Sequence, residues 1–159
     1  SHKDEYVQMM LQQRENTSFL PGIPIPSSIE ITGKIQQAVR EKEMIVLAVP
    51  AQYLRSVLAT IRDEDVRTSM FVNVAKGIET TTLQTMSEVI AEVFPQHNST
   101  LIATLSGPSH AEEVSENYPT LVVVASSNIE MSKIVQHTFM TERFRVYTST
   151  DLRGVELGG

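Results

Sequence analysis

The residues best placed to do chemistry are a lysine and a glycine, Lys76-Gly77, that end the largely apolar run Phe71-Val72-Asn73-Val74-Ala75. Such a run forms a buried strand, and a lysine at its carboxyl end aims an ammonium into the crevice where open α/β sheets bind ligands. The competing reading is a solvated turn, the commoner fate of a Lys-Gly pair after a strand. Composition excludes other chemistries. The chain has no cysteine, which removes disulfides and thiolate metal sites. Its histidines, His2, His97, His110 and His137, are too scattered to form a ligand-spaced pair, so no metal is expected. No GxGxxG phosphate-binding turn occurs anywhere in the sequence.

The elements that must hold such a site belong to an ordinary soluble domain. In 159 residues, 41% are hydrophobic and 20% charged, enough for one domain with a sizeable core. A formal net charge of -6 argues against a nucleic-acid partner, whose phosphates need clustered Lys and Arg. No apolar run approaches the roughly 18 residues that span a bilayer, and the first residues carry no signal-peptide pattern, so no membrane insertion and a cytoplasmic location are expected.

Hydrophobic spacing predicts a helix over residues 4–13, starting almost at residue 1. Residues 14–26 hold three prolines and a glycine and read as an extended, turn-rich loop. Phe19 in that loop reads as a core plug on burial preference, with ligand stacking as the alternative. From Ile29 the pattern alternates. Strands are expected at 29–31, 44–49, 70–74, 101–105, 121–125 and 144–147, with helices at 34–40, 52–58, 83–94, 111–115 and 131–140. Met44 to Val49 is apolar at every position, as in a parallel strand covered on both faces. The expected fold class is therefore α/β, a Rossmann-like, doubly wound, mainly parallel sheet.

Several motifs carry a resemblance. Arg14-Glu15-Asn16, Phe19-Leu20-Pro21, Ala48-Val49-Pro50, Ala75-Lys76-Gly77-Ile78-Glu79, Leu105-Ser106-Gly107-Pro108-Ser109-His110-Ala111-Glu112-Glu113-Val114, Phe144-Arg145-Val146-Tyr147 and Gly154-Val155-Glu156-Leu157-Gly158-Gly159 follow one another along the chain. In order and spacing they resemble the bacterial-type NAD(P)-dependent glycerol-3-phosphate dehydrogenase family, over essentially the whole chain. In that family a Gly-rich fingerprint and two strands precede this segment, and a helical substrate domain follows it. The resemblance thus implies an internal fragment lacking the first strands and the C-terminal helical domain. Residues 1–150 would be a partial dinucleotide-binding domain, and 151–159 the start of the truncated substrate domain.

The resemblance also implies roles. The cofactor is NAD or NADP, and the partner a small phosphorylated substrate: sn-glycerol 3-phosphate and dihydroxyacetone phosphate are interconverted to supply glycerophospholipid synthesis. Lys76 is similar to the lysine that contacts both cofactor and substrate and positions the latter. His2 resembles a residue that meets the adenosine end of the cofactor. Phe19 resembles a loop aromatic near it, and Tyr53 one that packs beside it, although Tyr53 also reads as a helix residue facing core or solvent. Ser106 to Ser109 resembles a turn brought close to the cofactor: Gly107 permits close approach, Pro108 stiffens the turn, and Ser109 can cap the helix that follows. Ala111 resembles a small position where a larger side chain would collide with the cofactor.

The family's proton-transferring lysine lies beyond Gly159, so the fragment by itself is expected to be inactive, and the full-length protein is expected to be a homodimer. Removing a central first strand is expected to expose apolar strand edges and to hinder pairing of the two halves. A related 6-phosphogluconate-type dehydrogenase acting on another small substrate, or a non-catalytic nucleotide-binding module, are the alternative readings.

Overall fold

The computed structural model describes residues 2–158, with side chains from Asp4 onward. Helix α1 (His2–Gln13) leads into a small antiparallel hairpin, β1 (Glu15–Asn16) and β2 (Leu20–Pro24). Residues 14–26 are therefore not the irregular loop expected. The three prolines are tolerated because the hairpin is short and stands apart from the main sheet, while Gly22 supplies a positive φ of 83°. Arg14, itself at φ 52°, ties the hairpin to the next segment by donating to the carbonyls of Ile25, Pro26 and Ile29. The strand expected at 29–31 is absent, because those residues pair with no neighbouring strand.

Alternation then follows the expected order: α2 (Ile35–Val39), β3 (Met44–Leu47), α3 (Ala51–Ala59), β4 (Met70–Asn73), α4 (Met86–Val93), β5 (Ile102–Ser106), α5 (Ala111–Ser115), β6 (Thr120–Ala125), α6 (Ile129–Phe139), β7 (Phe144–Ser149) and α7 (Leu152–Gly158). Helix α4 starts three residues later than the apolar pattern suggests. Leu83 sits at φ 60° in a turn, and Glu88 reaches back to accept the Thr85 N–H at 2.8 Å, fixing the helix start there.

The main sheet has the order β3-β4-β5-β6-β7. β3, β4 and β5 are parallel, as are β6 and β7, but β6 runs antiparallel to β5. The reversal has a local cause. The β5–β6 connection contains only the five-residue α5, too short to carry the chain back along the sheet, whereas the eleven-residue α6 makes a full crossover between β6 and β7. The five strands form one continuous sheet, so pairing is not interrupted as anticipated. The expected apolar edge is seen at β3, where Val46 is 45% exposed.

Each face has its own core. On one, Ile45, Leu47, Phe71 and Ile102 pack with Leu54 and Leu58 of α3 and Val89 and Ile90 of α4. On the other, Val72, Ala103, Leu105, Val122 and Val124 pack with Met131 and Val135 of α6. Phe71 is fully buried and stacks on Phe94 at 5.3 Å between ring centroids. Two-sided burial holds for β4 and β5, but β3, expected to be covered on both faces, is buried on one only: it lies at the edge of the sheet and leaves Val46 exposed on the other. The parallel pairing leaves the carboxyl ends of β3, β4 and β5 at one edge of the sheet.

Candidate functional site

Lys76 follows β4 at that edge and is exposed. Its Nζ donates to the carbonyl oxygen of Gly107 at 2.6 Å, bridging the loops after β4 and β5. Ser109 Oγ donates to the same carbonyl at 3.2 Å. Lys76, Gly107 and Ser109 are thus brought to one point. Ser109 does not cap the following helix as expected: α5 starts at Ala111, its N-cap position is His110, and no side chain caps it. The Ser109 hydroxyl is occupied by the carbonyl two residues back instead.

The Lys76 loop is fastened on both sides. Before it, Asn73, fully buried, accepts from the Ala75 N–H at 3.0 Å and donates to the Ala75 carbonyl at 3.1 Å. Both polar groups of the preceding residue are therefore pinned by one side chain. After it, Gly77 turns at φ 93°, and Gln52 of α3 donates to the Ile78 carbonyl and accepts from the Thr80 N–H. Arg55, one turn along α3, grips Glu79 with Nε at 2.9 Å from Oε1 and Nη2 at 2.9 Å from Oε2, and also pairs with Glu92 at 3.0 Å. Glu79 is 5% exposed. The Arg55 guanidinium, and next the Thr82 hydroxyl, hold the Glu79 carboxyl below its usual range. Hydrogen bonding to Glu79, and then to Glu92, raises Arg55 above its ordinary value. A bidentate pair with a buried carboxylate is a rigid anchor.

Gly107 has a packing role of its own. Its φ is 151°, and a Cβ there would lie 2.9 Å from the Leu121 carbonyl oxygen and 3.0 Å from Val122 Cα. Because β6 runs back along β5, its backbone passes directly against this turn. Beside the turn opens a groove of about 460 Å³, lined mainly by apolar side chains, Val46, Val74, Leu105 and Val122 among them, together with Ser109 and Ala111. A larger hollow of about 600 Å³ lies between residues 62–67 and 92–97, at the end where β4 and β5 begin. It is remote from Lys76 along those strands.

The other candidate residues stand differently. Phe19 is 76% exposed and packs edge-on to Tyr6 at 6.1 Å, so it is no core plug; the hairpin holds it outside both cores. Tyr53 projects from α3 and is 64% exposed, which rules out its core-facing reading. Neither takes part in the hydrogen bonds joining Lys76, Gly107 and Ser109. The His2 side chain lies outside the described residues. Among the described residues no group of His, Cys, Asp or Glu could hold a metal ion, and no helix is long and apolar enough to cross a membrane.

The sequence profile described as NAD-dependent glycerol-3-phosphate dehydrogenase N-terminus matches residues 1–132. The chain belongs to this family. A glycerol-3-phosphate dehydrogenase [NAD(P)+] of Chlorobium phaeobacteroides (strain BS1) is 48% identical over 159 residues, all of this chain and 48% of the relative. One from Fusobacterium nucleatum subsp. nucleatum is 45% identical over 146 residues, 92% of this chain and 43% of the relative. Among solved structures, the glycerol-3-phosphate dehydrogenase of Coxiella burnetii superposes with a TM-score of 0.87 at 28% identity, covering 96% of this chain and 46% of that one. The chain spans about half the length of the curated relatives it matches. The fold agrees with the mainly parallel Rossmann-like sheet expected from sequence.

The supports of the Lys76 loop were not foreseen from sequence. Arg55 and Glu79 are 24 positions apart, and no local spacing joins them. Asn73 did carry a signal: it is the one polar residue in an otherwise apolar strand.

Proposed function

We propose that the chain is the cofactor-binding part of an NAD(P)-dependent oxidoreductase that interconverts sn-glycerol 3-phosphate and dihydroxyacetone phosphate, feeding glycerophospholipid synthesis in the cytoplasm. The observation that carries this reading is the Lys76 ammonium, held at the carboxyl end of β4 against the Gly107 carbonyl and within one loop of an apolar groove. An ammonium has three N–H donors, and among the described residues one is engaged, by the Gly107 carbonyl. Two remain for the oxygens of a small phosphorylated substrate.

The residues present fit the nicotinamide end of a dinucleotide. The groove offers an apolar lining for a flat ring, the Ser109 hydroxyl beside it, and at Ala111 a side chain too small to fill it. Bound NAD(P) supplies the hydride acceptor or donor. This chain's residues do the positioning: Lys76 orients the substrate's oxygen-bearing carbon, while Gly107, Ser109 and Ala111 shape the slot. Phe19, Tyr53 and His2 complete the cofactor set. Residues 1–150 act as dinucleotide-binding domain and 151–159 lead into a substrate domain. The proton-transferring lysine comes from outside the chain, so residues 1–159 alone turn nothing over. In its full-length form the protein is a homodimer.

Initial-rate assays with the full-length protein test the reading. Reduction of dihydroxyacetone phosphate by NADH or NADPH is expected, with Lys76→Ala depressing it strongly. Full activity in Lys76→Ala would refute the role of this lysine.

A further inference from the structure

Behind the Lys76 loop runs a chain of buried polar groups, Glu156, Thr104 and Asn73. It starts at α7, where Glu156, 6% exposed, accepts three hydrogen bonds: from the Ser87 N–H at 2.8 Å, the Ser87 hydroxyl at 2.7 Å, and the Thr104 hydroxyl at 3.1 Å. Thr104 lies in the middle of β5 and is 1% exposed. Its only proton points to Glu156, so its lone pairs face Asn73 Nδ2, which approaches to 3.5 Å. Asn73 in turn holds the N–H and C=O of Ala75, the residue before Lys76. Donation runs one way from the Ala75 N–H through Asn73 and Thr104 to Glu156, while Asn73 Nδ2 also donates back to the Ala75 carbonyl. The Glu156 carboxylate, an acceptor only, orients the Thr104 hydroxyl; that hydroxyl accepts from the Asn73 amide nitrogen; and the amide oxygen is left to accept from Ala75.

Apolar residues of like size would pack a sheet interior at least as stably as a buried carboxylate, a hydroxyl and an amide. Their arrangement in line, ending on the backbone that carries Lys76, is what distinguishes them. We propose that Glu156 is a positioning residue, acting through Thr104 and Asn73 to set where the Lys76 ammonium stands, so that α7 and the Lys76 loop behave as one unit. Its effect on turnover rests on the substrate-positioning role proposed for Lys76; its effect on the position of Lys76 does not.

The test uses the full-length protein and Thr104→Val, which keeps the shape and removes the hydroxyl, against Thr104→Ser, which keeps the hydroxyl. Thr104→Val is expected to lower kcat on dihydroxyacetone phosphate by about tenfold to a hundredfold, the scale of a misplaced contact group, with a smaller change in KM. Thr104→Ser is expected to restore most of the rate. In a Lys76→Ala background the Thr104→Val loss should vanish, because the group it acts through is gone. A second readout is independent of activity: the backbone amide resonances of Ala75 and Lys76 should shift in Thr104→Val and not in Thr104→Ser. Should Thr104→Val fail to fold, Glu156→Gln takes its place in both arms. A loss that persists undiminished in Lys76→Ala, or unmoved Ala75 and Lys76 resonances, overturns the proposal. A wild-type protein inactive on dihydroxyacetone phosphate overturns the functional reading alone, and the resonances then decide the positioning claim.

Discussion

Lys76 and Gly107, 31 positions apart in sequence, are joined by a 2.6 Å hydrogen bond from the ammonium to the carbonyl oxygen, across the carboxyl ends of two adjacent parallel strands. The bond uses the side chain of one loop and the backbone of the other. Substituting Gly107 alters the backbone and substituting Lys76 alters the charge, so the two sides can be probed separately.

Lys76→Ala should cost turnover and not stability. Its side chain is exposed and packs in neither core, so unfolding free energy should change by no more than about 0.5 kcal/mol. Loss of a charged contact to a reacting oxygen should lower kcat by about a hundredfold or more. Lys76→Arg should recover only part, because a planar guanidinium cannot reproduce a point charge on a flexible stem. Steady-state kinetics beside urea unfolding separate the two effects; a large stability loss with unchanged kcat would reverse the assignment.

Gly107→Ala should do the opposite and cost stability directly. Its Cβ would meet the backbone of β6 at 2.9 Å, and a φ of 151° suits glycine alone. Destabilisation of about 1–3 kcal/mol is expected from the strain and overpacking. A urea midpoint equal to the wild type would show that the β5–β6 turn can relax.

The Arg55–Glu79 pair should make stability pH-dependent in acid. The pair lowers the folded-state pKa of Glu79. An unfolded glutamate titrates at about 4.3, so its contribution is complete above that pH and is lost as pH falls through the lower folded value. Urea midpoints between pH 7 and pH 3 should therefore fall in the wild type. In Arg55→Met the slope attributable to Glu79 should shrink or reverse, and an unaltered slope would exclude this pair as its source.

Ala111→Phe should block the groove beside Ser109 without unfolding the domain, since Ala111 is exposed at the start of α5. Binding of NADH or NADPH, followed by fluorescence titration of the full-length protein, should weaken at least about tenfold, with stability held within about 0.5 kcal/mol. Unchanged affinity would move the cofactor out of this groove.

Most secondary structure was legible because hydrophobic periodicity is local. Met44, Met70 and Ala111 start their elements where the pattern indicates, and Lys76 follows β4 in a loop at its carboxyl end, as expected. The pattern failed where an element depends on a partner. Residues 29–31 have the composition of a strand and no strand beside them, while the hairpin at 15–24 forms among prolines because its two arms pair with each other. Phe19 misled for a related reason: its apolar surface argues for burial, yet the hairpin carries it outside both cores.

By itself the sequence determined the α/β alternation, the strand that precedes Lys76-Gly77 and the exclusion of thiolate chemistry, all of which follow from residue type and short-range spacing. The tertiary structure alone decided that β6 returns antiparallel against Gly107, that Arg55 locks Glu79, and that Glu156 reaches Asn73 through Thr104. Each of these joins residues far apart in the chain, and such contacts exist only once the sheet has brought its strands into register.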